Sequence, residues 1–214
     1  VDTSRLRTTK TIGGSTDVAK DTPDTDITRT GVYLQNEFSK GKFDFISGLR
    51  YDSYELDAKP DEYVSSSAAF DLDADKLSPK FAVTYNINED LSTYAQYSQG
   101  FRAPAYYEVN ANFSNPMRGY TTKSNPDLKP ETSDSYEVGL RGRYSQIDFD
   151  VSGFYNKYEN FIEQLVDTGA VGLTTYQTQN VDSAEIFGAE LSANYYLNPE
   201  RSGFSLFTGL ASST

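Results

Sequence analysis

The chain has 214 residues, with 17 Tyr and 13 Phe but no Trp, His or Cys, and a formal net charge of −12. The missing Cys and His exclude disulfides, thiolate zinc sites, cysteine nucleophiles, Ser-His-Asp triads and histidine-ligated iron. The acidity excludes a nucleic-acid partner, because displacing counterions from phosphate needs a basic face.

In chain order, period-two alternation predicts about nine strands, over 1–12, 29–38, 43–56, 77–87, 91–101, 133–144, 147–163, 174–197 and 204–211. In the third of these, Phe43, Phe45, Leu49 and Tyr51 share one parity, and Asp44, Gly48, Arg50 and Asp52 the other. The segment 77–87 sets Phe81, Val83, Tyr85 and Ile87 against Lys80, Thr84 and Asn86. Each strand thus has one apolar and one polar face. One hairpin can be registered from sequence, since only Ser145 and Gln146 separate Tyr144 from Ile147. A two-residue turn there puts Arg143 opposite Asp148, Arg141 opposite Asp150, Leu140 opposite Val151 and Tyr136 opposite Tyr155, so both faces agree on one register.

The connections alternate in length. Those at 39–42, 88–90, 145–146 and 198–203 are short, whereas 13–28, 57–76, 102–132 and 164–173 are long and polar. An antiparallel soluble sandwich also alternates, but its strands usually stop near five or six residues. Long strands, short turns at one end, long loops at the other and a surplus of tyrosines match an all-β, antiparallel transmembrane β-barrel. No apolar run approaches the 18 or so residues of a membrane helix, and no charged-then-apolar leader is visible.

Residues 94–142 carry a more specific signal. The boxes Phe101-Arg102-Ala103-Pro104 and Asn125-Pro126-Asp127-Leu128 bracket one long loop and are followed by KPETSDSYEVGLRG. This resembles the TonB-dependent outer-membrane receptors of the heme and hemoglobin uptake branch, in which a FRAP and an NPDL box flank an extracellular loop. Segments at 29–38, 48–56, 77–87, 154–162 and 180–195 extend the resemblance over nearly the whole chain. It implies a section of a 22-stranded plugged barrel. That size needs on the order of 520 residues in the wall alone, so residues 1–214 are expected to be one partial barrel domain, with the N-terminal plug and the closing strands absent from it. It also implies a bacterial outer-membrane location, contact with outer-membrane lipid, the TonB complex as partner through the plug, and heme or a hemoprotein as cargo, with no intrinsic cofactor and no enzymatic activity. A ferric siderophore receptor and a passive pore are the alternatives.

Receptors of this branch commonly carry a histidine between the boxes, just before Gly-Tyr. Here Met117-Arg118-Gly119-Tyr120 occupies that place, and arginine has no free lone pair to offer iron. Three readings stay open: Met117 or a tyrosine (Tyr106, Tyr107 or Tyr120) ligates the iron; Arg118 pairs with an anionic group of the cargo; or the cargo is different. Tyr106 and Tyr107 could equally be interfacial. Arg102 could steer anions, although a structural ion pair is the plainer expectation, and Asn125, Pro126 and Pro130 read as loop punctuation. Asp71, Asp73 and Asp75 imitate a calcium loop, but Lys76 and Ala82 stand where Gly and Glu are needed, so a solvated acidic loop is expected and no metal site.

Overall fold

The computed structural model describes the backbone of residues 2–4, 8–12 and 15–214, and side chains from Lys20 onward. Its strands are β1 (Asp2–Ser4), β2 (Thr8–Ile12), β3 (Ser15–Ala19), β4 (Asp24–Lys40), β5 (Phe43–Lys59), β6 (Leu72–Asn86), β7 (Leu91–Arg102), β8 (Ser114–Asn115), β9 (Tyr120–Lys123), β10 (Glu131–Arg143), β11 (Ile147–Glu159), β12 (Ile162–Asp167), β13 (Thr174–Asn180), β14 (Ser183–Tyr196) and β15 (Ser205–Ser213). A single-turn helix, α1 (Tyr106–Val109), follows β7. Nine strands make one antiparallel sheet in the order β1-β4-β5-β6-β7-β10-β11-β14-β15, a section of barrel wall that is not closed on itself.

The register confirms the alternation. Leu140 faces Val151, Tyr136 faces Tyr155, Arg141 faces Asp150 and Arg143 faces Asp148, as the two-residue turn demands. On one face, Phe38, Phe45, Val83, Ala95, Val138, Gly153 and Ala189 follow one another across successive strand pairs. These apolar positions have no protein cover: Leu34 is 77% exposed and Val138 61%. The band spans Val32–Lys40 in β4, Phe43–Tyr51 in β5 and Ile147–Tyr155 in β11, about nine residues each, which is what a tilted strand needs to cross hydrocarbon. Aromatic rings rim it on both sides. Tyr97, Tyr136, Tyr155 and Phe187 form one register row toward the long loops, while Phe38, Phe45, Phe43 and Tyr85 stack toward the short turns. Two such girdles are the mark of the two membrane–water interfaces.

Several strands outrun their expected ends. β4 starts at Asp24 rather than 29, β5 reaches Lys59 and β6 starts at Leu72. Above the apolar band their outer positions are polar, Asp26, Thr28 and Thr30 on β4 and Asp71, Asp73 and Asp75 leading into and along β6. The aspartate run is therefore largely strand and not loop; Asp71 accepts a hydrogen bond from the Ala58 amide (2.8 Å). The expected strand 174–197 is two: β13 leaves the main sheet and β14 rejoins it. Similarly, 147–163 ends at Glu159, and Asn160 takes a left-handed φ of 55° before β12 begins. The expected strand 1–12 is also divided, with β1 pairing β4 and β2 pairing β3, while residues 5–7 lie outside the described ones. The expected loop 13–28 contains β3 and the start of β4.

The hydrophobic core sits on the polar-parity, inner face, at the long-loop end. Ile27, Tyr54, Leu56 and Leu72 of the sheet pack with Val109, Leu128 and Ile162. Next to it, the buried Lys20 ammonium holds Asp24 (2.7 Å) and Asp61 (2.5 Å). The Lys20 hydrogen bond, helped by the Tyr63 and Val64 amides, keeps the Asp61 carboxyl at about 2. A carboxyl depressed below its unfolded value near 3.9 stabilises the fold above that value and stops doing so as pH falls through about 2. The 60–71 loop should accordingly resist pepsin at pH 4.5 and be cut at pH 2, whereas Asp61→Asn should be cut at both; equal resistance of the two proteins would refute the tether.

Candidate functional site

The boxes and the loop between them form a cap over the inner face. At the end of β7 the Arg102 guanidinium donates from Nε to Glu131 (2.5 Å) and from Nη1 to Glu108 (2.9 Å). Glu108 is buried and accepts in addition from the Ala105 amide (2.8 Å), so its carboxylate also caps α1. Arg102 is thus a structural tie between β7, α1 and β10. Pro104 is fully buried and Ala103 packs on the core. Phe101, which opens that box and is the last outer-parity residue of β7, pairs with Thr132.

The second box repeats the theme with neutral groups. Asn125 accepts from the Asp127 amide (3.1 Å), closing an Asx turn, and donates to the Thr178 carbonyl (2.8 Å). Leu128 drops into the core, and Pro126 and Asp127 stay exposed between these anchors. Two residues that sequence reasoning passed over complete the lock. Asn110, fully buried, exchanges two hydrogen bonds with the Phe70 backbone. Asn180 accepts from the Lys129 amide and donates to the carbonyls of Lys129 and Asn160. A polar amide can bridge irregular backbone anywhere in a fold, so neither had a periodic signal.

The two long loops are sewn into a second sheet, β12-β13-β9-β8. β13 pairs with β9 in parallel, from Thr174 opposite Tyr120 to Gln177 opposite Lys123. Of the singled-out ligand candidates, Tyr106 and Tyr107 sit at the base on α1, their rings edge to face at 5.4 Å, with Tyr106 against the core and Tyr107 exposed. Tyr120 belongs to a separate aromatic group with Phe113 (5.8 Å) and Tyr176 (6.2 Å). Met117 and Arg118 are at the tip, in the 3-10 turn Pro116–Arg118, which closes on Gly119 at φ 76°. Met117 is 97% exposed, and the Arg118 guanidinium makes no ion pair among the described residues. The five residues do not converge on a single pocket: they mark base, middle and tip of one loop.

Beneath the cap, the inner face keeps an open hollow of about 540 Å³, lined among others by Arg29, Gly31, Arg50, Asp52, Tyr54 and Arg102. Arg50 makes a two-toothed pair with Asp52 (2.7 and 2.6 Å). Among the described residues no group of three His, Cys, Asp or Glu could hold a metal ion.

A family model described as "TonB dependent receptor-like, beta-barrel" matches residues 2–214. A hemin receptor of Yersinia pestis is 30% identical over 210 residues, covering 90% of this chain and 29% of the relative. The hemoglobin-haptoglobin utilization protein B of Neisseria meningitidis is 29% identical over 206 residues, covering 83% of this chain and 25% of the relative. The chain therefore spans less than a third of the length of these two curated relatives. Among solved structures, the Serratia marcescens hemophore receptor HasR, determined with its hemophore HasA and heme, superposes with a TM-score of 0.71 at 23% identity, over 85% of this chain and 34% of that one. At such identity the likeness concerns the fold.

Proposed function

Because the chain belongs to the TonB-dependent receptor-like β-barrel family, we propose that it forms wall and outer loops of a bacterial outer-membrane receptor that imports heme or hemoprotein-derived iron. The observation that carries this reading is the cap itself: both boxes hold a long loop across the inner face and leave its tip free. The names of the hemin receptor and of the hemoglobin-haptoglobin utilization protein support the cargo. In this reading the band between the aromatic girdles faces lipid, and the long-loop end faces the medium. The plug, the TonB contact and the remaining wall strands come from the rest of the polypeptide, because nine strands with two open edges would expose unpaired backbone to hydrocarbon.

Capture begins at the tip. Arg118 supplies an unpaired cation on an otherwise acidic protein, so it draws the anionic edge of a porphyrin while Met117 offers apolar and thioether contact. Tyr107 and the Tyr120 group give flat aromatic surface lower on the same loop, and Tyr106 supports Tyr107 from the core side. No residue here needs to act as an acid, base or nucleophile, in keeping with a transport role.

The test is a heme titration of the full-length receptor in detergent, read by the absorbance of bound heme, with a ferric siderophore as competitor. Saturable binding that the siderophore does not displace is expected. Arg118→Glu should weaken it several-fold, from loss of one charge-assisted contact and the gain of repulsion. Displacement by the siderophore, or no heme binding by a folded barrel, would overturn the cargo.

A further inference from the structure

Of the three arginines in the hollow under the cap, two are neutralised, Arg50 by Asp52 and Arg102 by Glu108 and Glu131. Arg29 is not: among the described residues it makes no ion pair, and its guanidinium lies over the Tyr54 ring at 5.4 Å. Tyr54 is its direct cross-strand partner. Tyr54 is buried, and its hydroxyl finds no acceptor for its own proton. A buried phenol left unpaired destabilises the fold unless something accepts from it. The Arg29 guanidinium, itself only a donor, cannot fill that need.

We propose that Arg29 and Tyr54 form a second, inner binding point for a carboxylate of the cargo. A carboxylate has four lone-pair directions, so it accepts from the guanidinium and from Tyr54 Oη together. Room is provided at Gly31, where a Cβ would come within 2.6 Å of Arg50 Nη2; without it the Arg50–Asp52 pair lies back against β4. The hollow of about 540 Å³ is in the size range of small-molecule sites. The pair's position on the inner face below the tip makes it a station reached after capture. This inference rests on the proposed import of a carboxylate-bearing iron chelate, and it adds where the carboxylate is received.

The experiment titrates the full-length receptor in detergent with heme and with heme dimethyl ester, whose two carboxylates are masked, using wild type, Arg29→Gln and Tyr54→Phe. Heat-modifiable gel mobility checks that each barrel is folded. Wild type should prefer heme by about tenfold, Arg29→Gln should cut the preference to the share that Arg118 supplies, and Tyr54→Phe should narrow it. Equal binding of heme and ester by wild type, or a preference untouched in Arg29→Gln, overturns the inner site while leaving the heme reading intact. If neither porphyrin binds, the heme reading fails, and ferric citrate then decides: binding lost in Arg29→Gln supports the site, and no binding to wild type overturns it too.

Discussion

Val138→Arg is expected to stop the full-length receptor from folding into lipid vesicles, whereas Ser98→Arg leaves its yield unchanged. Val138 lies in the apolar band between Ala95 and Gly153, 61% exposed and with no side chain over it. A guanidinium at that depth costs about 2–4 kcal/mol on transmembrane barrels, a 30-fold or larger shift toward the unfolded form at the lower bound. Ser98 has the opposite parity, between Lys80 and Ser135 on the inner face, where water can hydrate a new charge. Folded yield is read from heat-modifiable gel mobility after refolding into vesicles. Equal yields for the two variants would mean that the outer band is not the lipid face.

Arg102→Ala should release the cap without unfolding the wall. The substitution leaves the Glu108 carboxylate buried with only the Ala105 amide and a long contact from Gln164 (3.4 Å). Losing the partner of a buried charge costs about 3–5 kcal/mol when both groups are desolvated. Here the arginine side chain is 44% exposed, so about 2 kcal/mol is the better expectation. Amide exchange across 103–130, and across the paired β12 and β13, should speed up by an order of magnitude or more, with exchange in β10 and β11 unchanged. Arg102→Lys should recover little, because one ammonium cannot reach two carboxylates with the geometry of a fork. A cap that exchanges as slowly as in the wild type would mean that its hydrophobic contacts alone hold it.

The membrane-crossing parts of the strands were legible because lipid on one side and a polar interior on the other force period-two alternation. The 140–151 hairpin could even be registered, since its charges and its apolar residues agreed on one pairing. Above the bilayer that constraint vanishes. Asp71, Asp73 and Asp75 meet water on the outer face, so β6 continues without an apolar stripe and reads as loop. Nor can alternation tell which sheet a strand joins, and the run 174–197 therefore concealed the passage from β13 to β14. At the site, the two boxes were visible as motifs, and Arg102 behaves as the ion pair expected of it. Asn110 and Asn180 were invisible, because their partners are backbone groups distant in sequence. The Arg29–Tyr54 pairing follows only from the register of β4 with β5, at the first residue of the expected strand 29–38.

The parallel pairing of β9 with β13 gives the outer loops a common fate. Four residue pairs join them, and the Asn125–Thr178, Gln177–Ser124 and Asn180–Lys129 bonds fasten the same seam. Neither loop can lift away from the mouth while the other stays down. The two loops are then expected to open together, in one step with one midpoint. Sequence drift is channelled by the same seam: Met117 and Val171 at the free tips can vary at little cost to the fold, while a substitution in the seam is felt by both loops at once.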